Sequence, residues 1–111
     1  LFRQVELAAR RDVAALGELD ADAGWDADRW RAALDAYFAD HESIGVDADA
    51  RSSRMLVVDE TGRRWTARQI LADPDGDHDW SITAEVDLDA SDESGVAVVR
   101  VVDVAPFANL R

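Results

Sequence analysis

The chain has 111 residues with 24 acidic and 12 basic side chains, a net charge of −12, and no cysteine. The lack of cysteine excludes disulfides, thiolate metal ligands and cysteine nucleophiles. Every basic residue is arginine, so the chain contains neither the lysine of a phosphate-binding P-loop nor a Schiff-base amine. ATP hydrolysis that depends on a P-loop is therefore excluded within these residues.

Size and composition predict one globular domain over residues 1–111. The chain begins with Leu1 and not with methionine, so we expect a fragment of a larger protein. No apolar run approaches the roughly 18 residues that span a bilayer, and we expect a cytoplasmic location without membrane contact. The excess of acid disfavours nucleic-acid binding over the whole surface, because phosphate contacts require basic side chains.

Two helices are predicted in the first half of the chain. Apolar residues recur every three or four positions over about residues 2–17, which indicates one amphipathic helix. A second helix is predicted over about residues 27–43, with Asp26 as its N-cap. Trp25 is expected to pack on Trp30 as a hydrophobic staple.

The second half of the chain changes to an alternating pattern. Strands are predicted over about residues 54–59, 63–72, 79–89 and 95–104. Between Trp80 and Leu88 every second residue is apolar, which is typical of an antiparallel sheet with one buried face. The sequence therefore predicts an α+β fold, with two N-terminal helices packed on a four-stranded antiparallel meander. In outline this architecture is NTF2-like or cystatin-like, an analogy of topology that implies no function.

A small-ligand pocket between the sheet and the helices is one candidate site. Its residues would be aromatic or polar side chains on the predicted inner faces: Tyr37, His41, Trp65, Gln69 and Trp80. The ordinary alternative is that these side chains fill the core.

The acidic stretch Asp73–Trp80 is a second candidate. Its alternating carboxylates suit Ca²⁺, but His78 occupies the position of the required glycine and Ala84 that of the bidentate glutamate. His78 is also a possible metal ligand, and with Asp77 a possible acid–base pair, yet no serine lies in a Gly-x-Ser-x-Gly elbow. We therefore predict a solvated loop whose aspartates cap local N–H groups, with no catalytic residue, no cofactor and no metal.

A third candidate is a locally basic patch for nucleic acid or an acidic protein partner. It consists of the arginines between the second helix and the end of the second strand: Arg51, Arg54, Arg63, Arg64 and Arg68. The ordinary alternative is a charged solvent face, in which Arg64 and Arg68 pair across strands with Glu85 and Asp87.

Several segments together resemble the C-terminal end of a family of bacterial DEAD/DEAH-box helicases that carry a C-terminal domain of unknown function. The resemblance covers essentially the whole chain, and its most specific strings are Trp65-Thr-Ala-Arg-Gln-Ile-Leu-Ala-Asp-Pro74, Gly76-Asp-His-Asp-Trp80 and Ala84-Glu-Val-Asp-Leu-Asp-Ala-Ser-Asp-Glu93.

This resemblance implies a parent enzyme whose ATP- and Mg²⁺-binding helicase modules lie upstream of these residues. It supplies no catalytic position here. The implied role is a non-catalytic accessory domain, structural or regulatory, which contacts the helicase core of the same polypeptide or another protein. An auxiliary nucleic-acid-binding module and a small-ligand-binding domain stay open as alternatives, and the oligomeric state is left open.

Overall fold

A computed structural model describes residues 2–60, 62–76, 78–95 and 99–106. The α-helices are α1 (Phe2–Ala9), α2 (Val13–Asp20), α3 (Ala27–Asp40) and α4 (Leu88–Ser94). The strands are β1 (Leu56–Asp59), β2 (Arg64–Ile70), β3 (Trp80–Asp87) and β4 (Val99–Pro106), and 3₁₀ turns cover Ala21–Ala23 and Ser53–Met55. The strands form one antiparallel sheet in the order β1-β2-β3-β4, so the α+β prediction is confirmed. Within the described residues no helix is long and apolar enough to cross a membrane.

Helix α3 begins as the sequence predicts. The Asp26 side chain accepts a hydrogen bond from the Arg29 N–H at 2.9 Å, and the rings of Trp25 and Trp30 lie 5.1 Å apart. The helix ends at Asp40, before the predicted residue 43, because His41 is already extended. This early end places His41 at the junction of helix and loop.

The predicted helix over residues 2–17 is divided in two. Arg11 has a φ of 57°, which breaks the helix, and the Asp12 side chain starts α2 by accepting from the Ala15 N–H. The break turns α2 onto α3, where Gly17 lies so close that an added Cβ would be 2.6 Å from the Ala27 nitrogen. No glycine or proline marks this break, so the periodicity alone did not show it.

Helix α4 interrupts the predicted meander between β3 and β4. The sequence predicted a strand to residue 89 and then a turn, but the Asp87 side chain accepts from the Ala90 N–H and starts a helix. Gly95, with a φ of 75°, ends it in the left-handed region that glycine tolerates.

The alternation predicted for β3 holds only in part, because Ser81 on the predicted wet face is also buried and Val86 is only half-buried. Trp80, Ile82 and Ala84 are buried on the inner face. The β3–β4 register shifts between Thr83 and Ala84. An extra residue in β4 at this shift lets both Val101 and Val104 face the core, although they are an odd number of residues apart.

The helices cover only part of this inner face. The core joins buried side chains of α1–α3 to β3 and β4, and its largest fully buried members include Trp30, Tyr37 and Ile82. Every residue of β1 is exposed. The helices therefore cover the sheet around β3 and leave the edge strand β1 exposed.

Candidate functional site

The candidate site lies where α3 ends and the acidic loop before β3 begins. His41, which follows the last residue of α3, is 5% exposed. Its ring centroid lies 5.1 Å from that of Tyr37, which packs edge-on against Trp80 at 5.6 Å. The Tyr37 hydroxyl donates to the Ser43 carbonyl at 2.6 Å and so holds the chain that follows the helix.

Three carboxylates surround the His41 ring. Nε2 lies 3.0 Å from Oδ1 of Asp79 in hydrogen-bonding geometry. Nδ1, on the opposite side of the ring, lies 3.6 Å from Oδ2 of Asp73 and 3.5 Å from Oδ2 of Asp75. The Asp73 side chain is as buried as the histidine, whereas that of Asp75 is 67% exposed. The site is a buried imidazole and a buried carboxylate, reached from solvent on the Asp75 side.

The loop backbone holds Asp73 in this position. Oδ1 of Asp73 accepts from the His78 N–H at 2.7 Å, as the predicted capping of local N–H groups requires. Gly76 and His78 both have positive φ, 74° and 51°, and turn the chain back toward β3. The prediction that the whole loop is solvated is wrong for Asp73, because tertiary packing on His41 buries it. Asp77 of the predicted Asp77–His78 pair lies outside the described residues.

The cluster perturbs its own ionisable groups. Burial, the largest single influence, would lower the pKa of His41. The hydrogen bond to Asp79, the charge of Asp73, the polar contact with Asp75 and the charge of Asp79 together outweigh it, so the pKa is raised. Burial, and then the charges of Asp73, Asp79 and Asp75, raises the pKa of Tyr37. The loop thus imposes a negative field on the end of α3.

The donor set of the cluster is that of a metal site. His41, Asp73 and Asp79 each offer one ligand atom, and these atoms lie within 4.8 Å of one another. Imidazole nitrogen with carboxylate oxygen is a common ligand set for divalent transition metals. Sequence analysis missed the cluster, because His41 and Asp79 are 38 positions apart and no local motif connects them.

The predicted pocket residues do not come together as one set. Tyr37, His41 and Trp80 pack against one another, but their rings fill the core. Gln69 is buried elsewhere, where its Nε2 donates to the Met55 carbonyl at 3.0 Å. Trp65 is half-buried and pairs with Val86, at the far end of β2 and β3 from Trp80.

A groove of about 490 Å³ lies beside Gln69. Its other lining residues are Phe2, Arg51, Ser52, Ser53 and Leu56.

The predicted arginine patch is divided among several carboxylates. Arg63 forms ion pairs with Asp89, at 3.0 Å, and with Asp92. Arg64 pairs with Asp87 in the strand register, as predicted, with their charged groups 3.9 Å apart.

The other three arginines lie apart from this pair. Arg51 lies 3.2 Å from Glu6 and stacks over the Phe2 ring. Arg54 is exposed in the turn before β1. Arg68 lies opposite Thr83 and not opposite Glu85 or Asp87 as predicted, because the β2–β3 register is offset from the one assumed. The arginines therefore do not converge on one basic surface.

Comparison with known proteins gives a family and no activity. A family model described as "Domain of unknown function (DUF3516)" matches residues 1–104. No curated protein and no solved structure matches the chain. The NTF2-like or cystatin-like outline stays a prediction.

Proposed function

The chain belongs to the DUF3516 family, and from this premise we propose that it is a cytoplasmic, non-catalytic accessory domain of a DEAD/DEAH-box (superfamily 2) ATP-dependent helicase. Its role is structural or regulatory, through contact with the helicase core or with a partner protein. The segments that resemble the C-terminal end of such helicases support the parent enzyme. The geometry of the sheet supports the mode of contact.

The observation that carries the proposal is the exposed apolar edge of the sheet. β1 is an edge strand, and its residues Leu56, Val57 and Val58 are 41%, 51% and 41% exposed. Exposed edge strands present unpaired backbone groups, which soluble proteins usually protect with charged residues, proline or a covering element. Within the described residues no strand pairs with the outer side of β1.

Such an edge is suited to β-strand addition. An extended segment of the helicase core or of a partner would pair with the β1 backbone, while Val57 and its neighbours supply apolar contacts. Behind the edge, Val57 shares a shallow groove of about 270 Å³ with Asp59, Thr66 and Arg68. Polar side chains in this groove would contact the added segment and fix its position along β1.

The charge of the domain favours a protein partner over nucleic acid. A net charge of −12 repels phosphate, and Arg63, Arg64 and Arg51 lie beside carboxylates of this chain. An acidic domain complements the basic surface that a helicase core presents to nucleic acid. We therefore place the contact on the helicase core, near its nucleic-acid-binding face.

Deletion of the domain from the parent helicase tests the proposal. We expect altered ATPase or unwinding activity, or lower stability of the parent, because a docked module is lost. Unchanged values for all three would contradict the proposed role.

A point variant tests the surface itself. Val57→Asp should weaken binding of the separate domain to the helicase core at least tenfold, because a charge replaces an apolar contact. Leu19→Asp is the matched control, since Leu19 is 50% exposed on α2, away from the edge. Equal weakening by both variants, or by neither, would contradict docking through β1. Binding of labelled single-stranded RNA or DNA with a steep salt dependence would instead favour the nucleic-acid alternative.

A further inference from the structure

The His41 side chain has one satisfied and one unsatisfied ring nitrogen. The side chain is 3% exposed, so water cannot satisfy it freely. Nε2 is hydrogen-bonded to Asp79, whereas Nδ1 has no hydrogen-bond partner among the residues that the structure describes. A buried polar atom without a partner is costly, and a bound ligand is one of the few explanations for it.

Two carboxylates are aimed at this unsatisfied nitrogen. Oδ2 of Asp73 and Oδ2 of Asp75 lie 3.6 and 3.5 Å from Nδ1, longer than an ordinary hydrogen bond. With Asp79 on the other side, three carboxylates face a single imidazole. Even a protonated ring balances only one of these charges, and the Asp73 side chain is 1% exposed. A cation between the ring and the loop would satisfy both the nitrogen and the excess charge.

We propose that Nδ1 of His41 and the carboxylates of Asp73 and Asp75 bind a divalent transition-metal ion of the Zn²⁺ class. A tetrahedral Zn²⁺ ion with bonds of about 2.0 Å separates its ligand atoms by about 3.3 Å. The distances from Nδ1 to the two carboxylates are slightly longer than this. Bonds of about 2.1–2.2 Å, within the range for nitrogen and carboxylate ligands, widen this separation to about 3.5 Å. The exposed Asp75 side chain can adjust further, and the open side at Asp75 leaves room for a water ligand.

Asp79 is the orienting partner of this site. It contacts the ring nitrogen opposite to the metal, and a hydrogen bond from Nε2–H to its carboxylate leaves the lone pair on Nδ1. Metal-bound histidines commonly donate their second N–H to a carboxylate in this way. Hydrogen bonds thus fix the orientation of both buried ligands. His41 is held by the carboxylate of Asp79, and Asp73 is held by the His78 N–H.

The ligand set decides the class of ion. Ca²⁺ and Mg²⁺ prefer six or more oxygen ligands, whereas an imidazole nitrogen with two carboxylates suits Zn²⁺, Co²⁺ or Mn²⁺. The sequence predicted no metal site, because no local signal placed His41 beside the acidic loop. The site becomes visible once the fold brings the end of α3 to that loop.

Metal titration of the chelator-treated chain tests the site. At mildly alkaline pH we expect one Co²⁺ to bind per chain with the visible absorption of a four-coordinate ion. Zn²⁺ should displace it, and Zn²⁺ should raise the thermal midpoint of unfolding. Absence of saturable Co²⁺ and Zn²⁺ binding, or Ca²⁺ binding as tight as that of Zn²⁺, would overturn the proposal.

Three aspartate variants localise the site. Asp75→Asn removes an exposed ligand and leaves the core intact, so it should weaken Zn²⁺ binding at least tenfold without loss of folding. Asp79→Asn should weaken it by about 10–100-fold through loss of the orienting carboxylate. Asp49→Asn, an exposed aspartate outside the cluster, should bind Zn²⁺ like the parent chain. Unchanged Zn²⁺ affinity in Asp75→Asn would overturn the assignment.

Discussion

The Nε2 atom of His41 lies 3.0 Å from Oδ1 of Asp79, although the two residues are 38 positions apart. The contact joins the end of α3 to the residue before β3. It therefore ties the helical layer to the sheet at the point where the acidic loop folds over the core. Both the stability of the domain and the chemistry of the candidate site depend on this contact.

Replacement of Asp79 by asparagine should destabilise the metal-free domain in a pH-dependent way. The amide oxygen still accepts from Nε2, but the charge that favours the imidazolium is lost. We expect a loss of about 1 kcal/mol in unfolding free energy at mildly acidic pH, since the partly exposed carboxylate is screened by water. Urea unfolding in the presence of a chelator measures it.

The sign of this effect follows from the raised pKa of His41. A histidine whose pKa is higher in the folded than in the unfolded state stabilises the fold. This stabilisation is complete at pH values below the unfolded-state pKa of 6.5. The stabilisation disappears as the pH rises through the folded-state pKa. The difference between Asp79→Asn and the parent should therefore shrink in alkali. Asp49→Asn is the control, and a difference that stays constant with pH would contradict the prediction.

Tyr37 should ionise only when the domain unfolds. Burial and the nearby carboxylates raise its pKa above the ordinary value of 10.0, so the folded state retains the phenol proton. The resulting stabilisation is complete below about pH 10 and is lost as the pH rises beyond it. Tyr37 is the single tyrosine of the chain, so phenolate absorbance reports on it alone.

The measurement is an alkaline titration followed by absorbance and circular dichroism. We expect phenolate formation and loss of helix to coincide. Tyr37→Phe provides the baseline without phenolate. Phenolate formation near pH 10 in a chain that keeps its native circular dichroism would show that the ring is accessible to solvent, contrary to the structure.

Local sequence signals predicted the elements whose causes are local. The cap at Asp26 and the Trp25–Trp30 staple are set by neighbours in sequence, and the structure has them. The alternation from Trp80 holds for the inner face as far as Ala84, but Ser81 on the other face is buried as well. The break at Arg11 was missed, because it depends on the packing of α2 against α3. Helix α4 was missed because its acidic, serine-containing sequence has a weak apolar period and also suits a turn.

The candidate site could not be predicted for a different reason. His41 and the Asp73–Asp79 loop were each noticed, but their meeting depends on where α3 ends and how the sheet lies beneath it. His41 was predicted within the helix, and no sequence signal placed the acidic loop against the end of that helix.

Gly17→Ala should destabilise the domain, although alanine normally favours a helix. An added Cβ would lie 2.6 Å from the backbone nitrogen of Ala27, and neither helix can move without disturbing the core. We expect a loss of about 1–3 kcal/mol, typical of overpacking. Thermal or urea unfolding measures it, with Glu18→Ala as an exposed control in the same helix. A Gly17→Ala variant as stable as the parent would show that α2 and α3 pack less closely than described.

Asp20→Asn should stabilise the domain at neutral pH. Asp20 is 4% exposed at the end of α2, and within the described parts of the chain its Oδ2 has no hydrogen-bond partner. Burial raises its pKa, although the Gln4 amide, which donates to Oδ1 at 3.3 Å, and the nearby indole N–H of Trp30 oppose the rise. In the Asp20→Asn variant the amide oxygen can accept from the Trp30 indole N–H. If the Gln4 amide rotates, its oxygen can accept from the new NH₂ group. The substitution thus removes the buried charge and leaves both neighbouring side chains with a hydrogen-bond partner.

The pH dependence distinguishes this cause from a general loss of negative charge. A carboxyl whose pKa is higher in the folded state favours folding at pH values below its unfolded-state pKa of 3.8. This contribution is lost as the pH rises through the folded-state pKa. The gain from Asp20→Asn should therefore vanish in acid, where the carboxyl is protonated in both states, and grow as the pH rises above the unfolded-state value. Urea unfolding over this range measures it, with Asp49→Asn as the exposed control. An equal gain in both variants would assign the effect to net charge, because only Asp20 is buried.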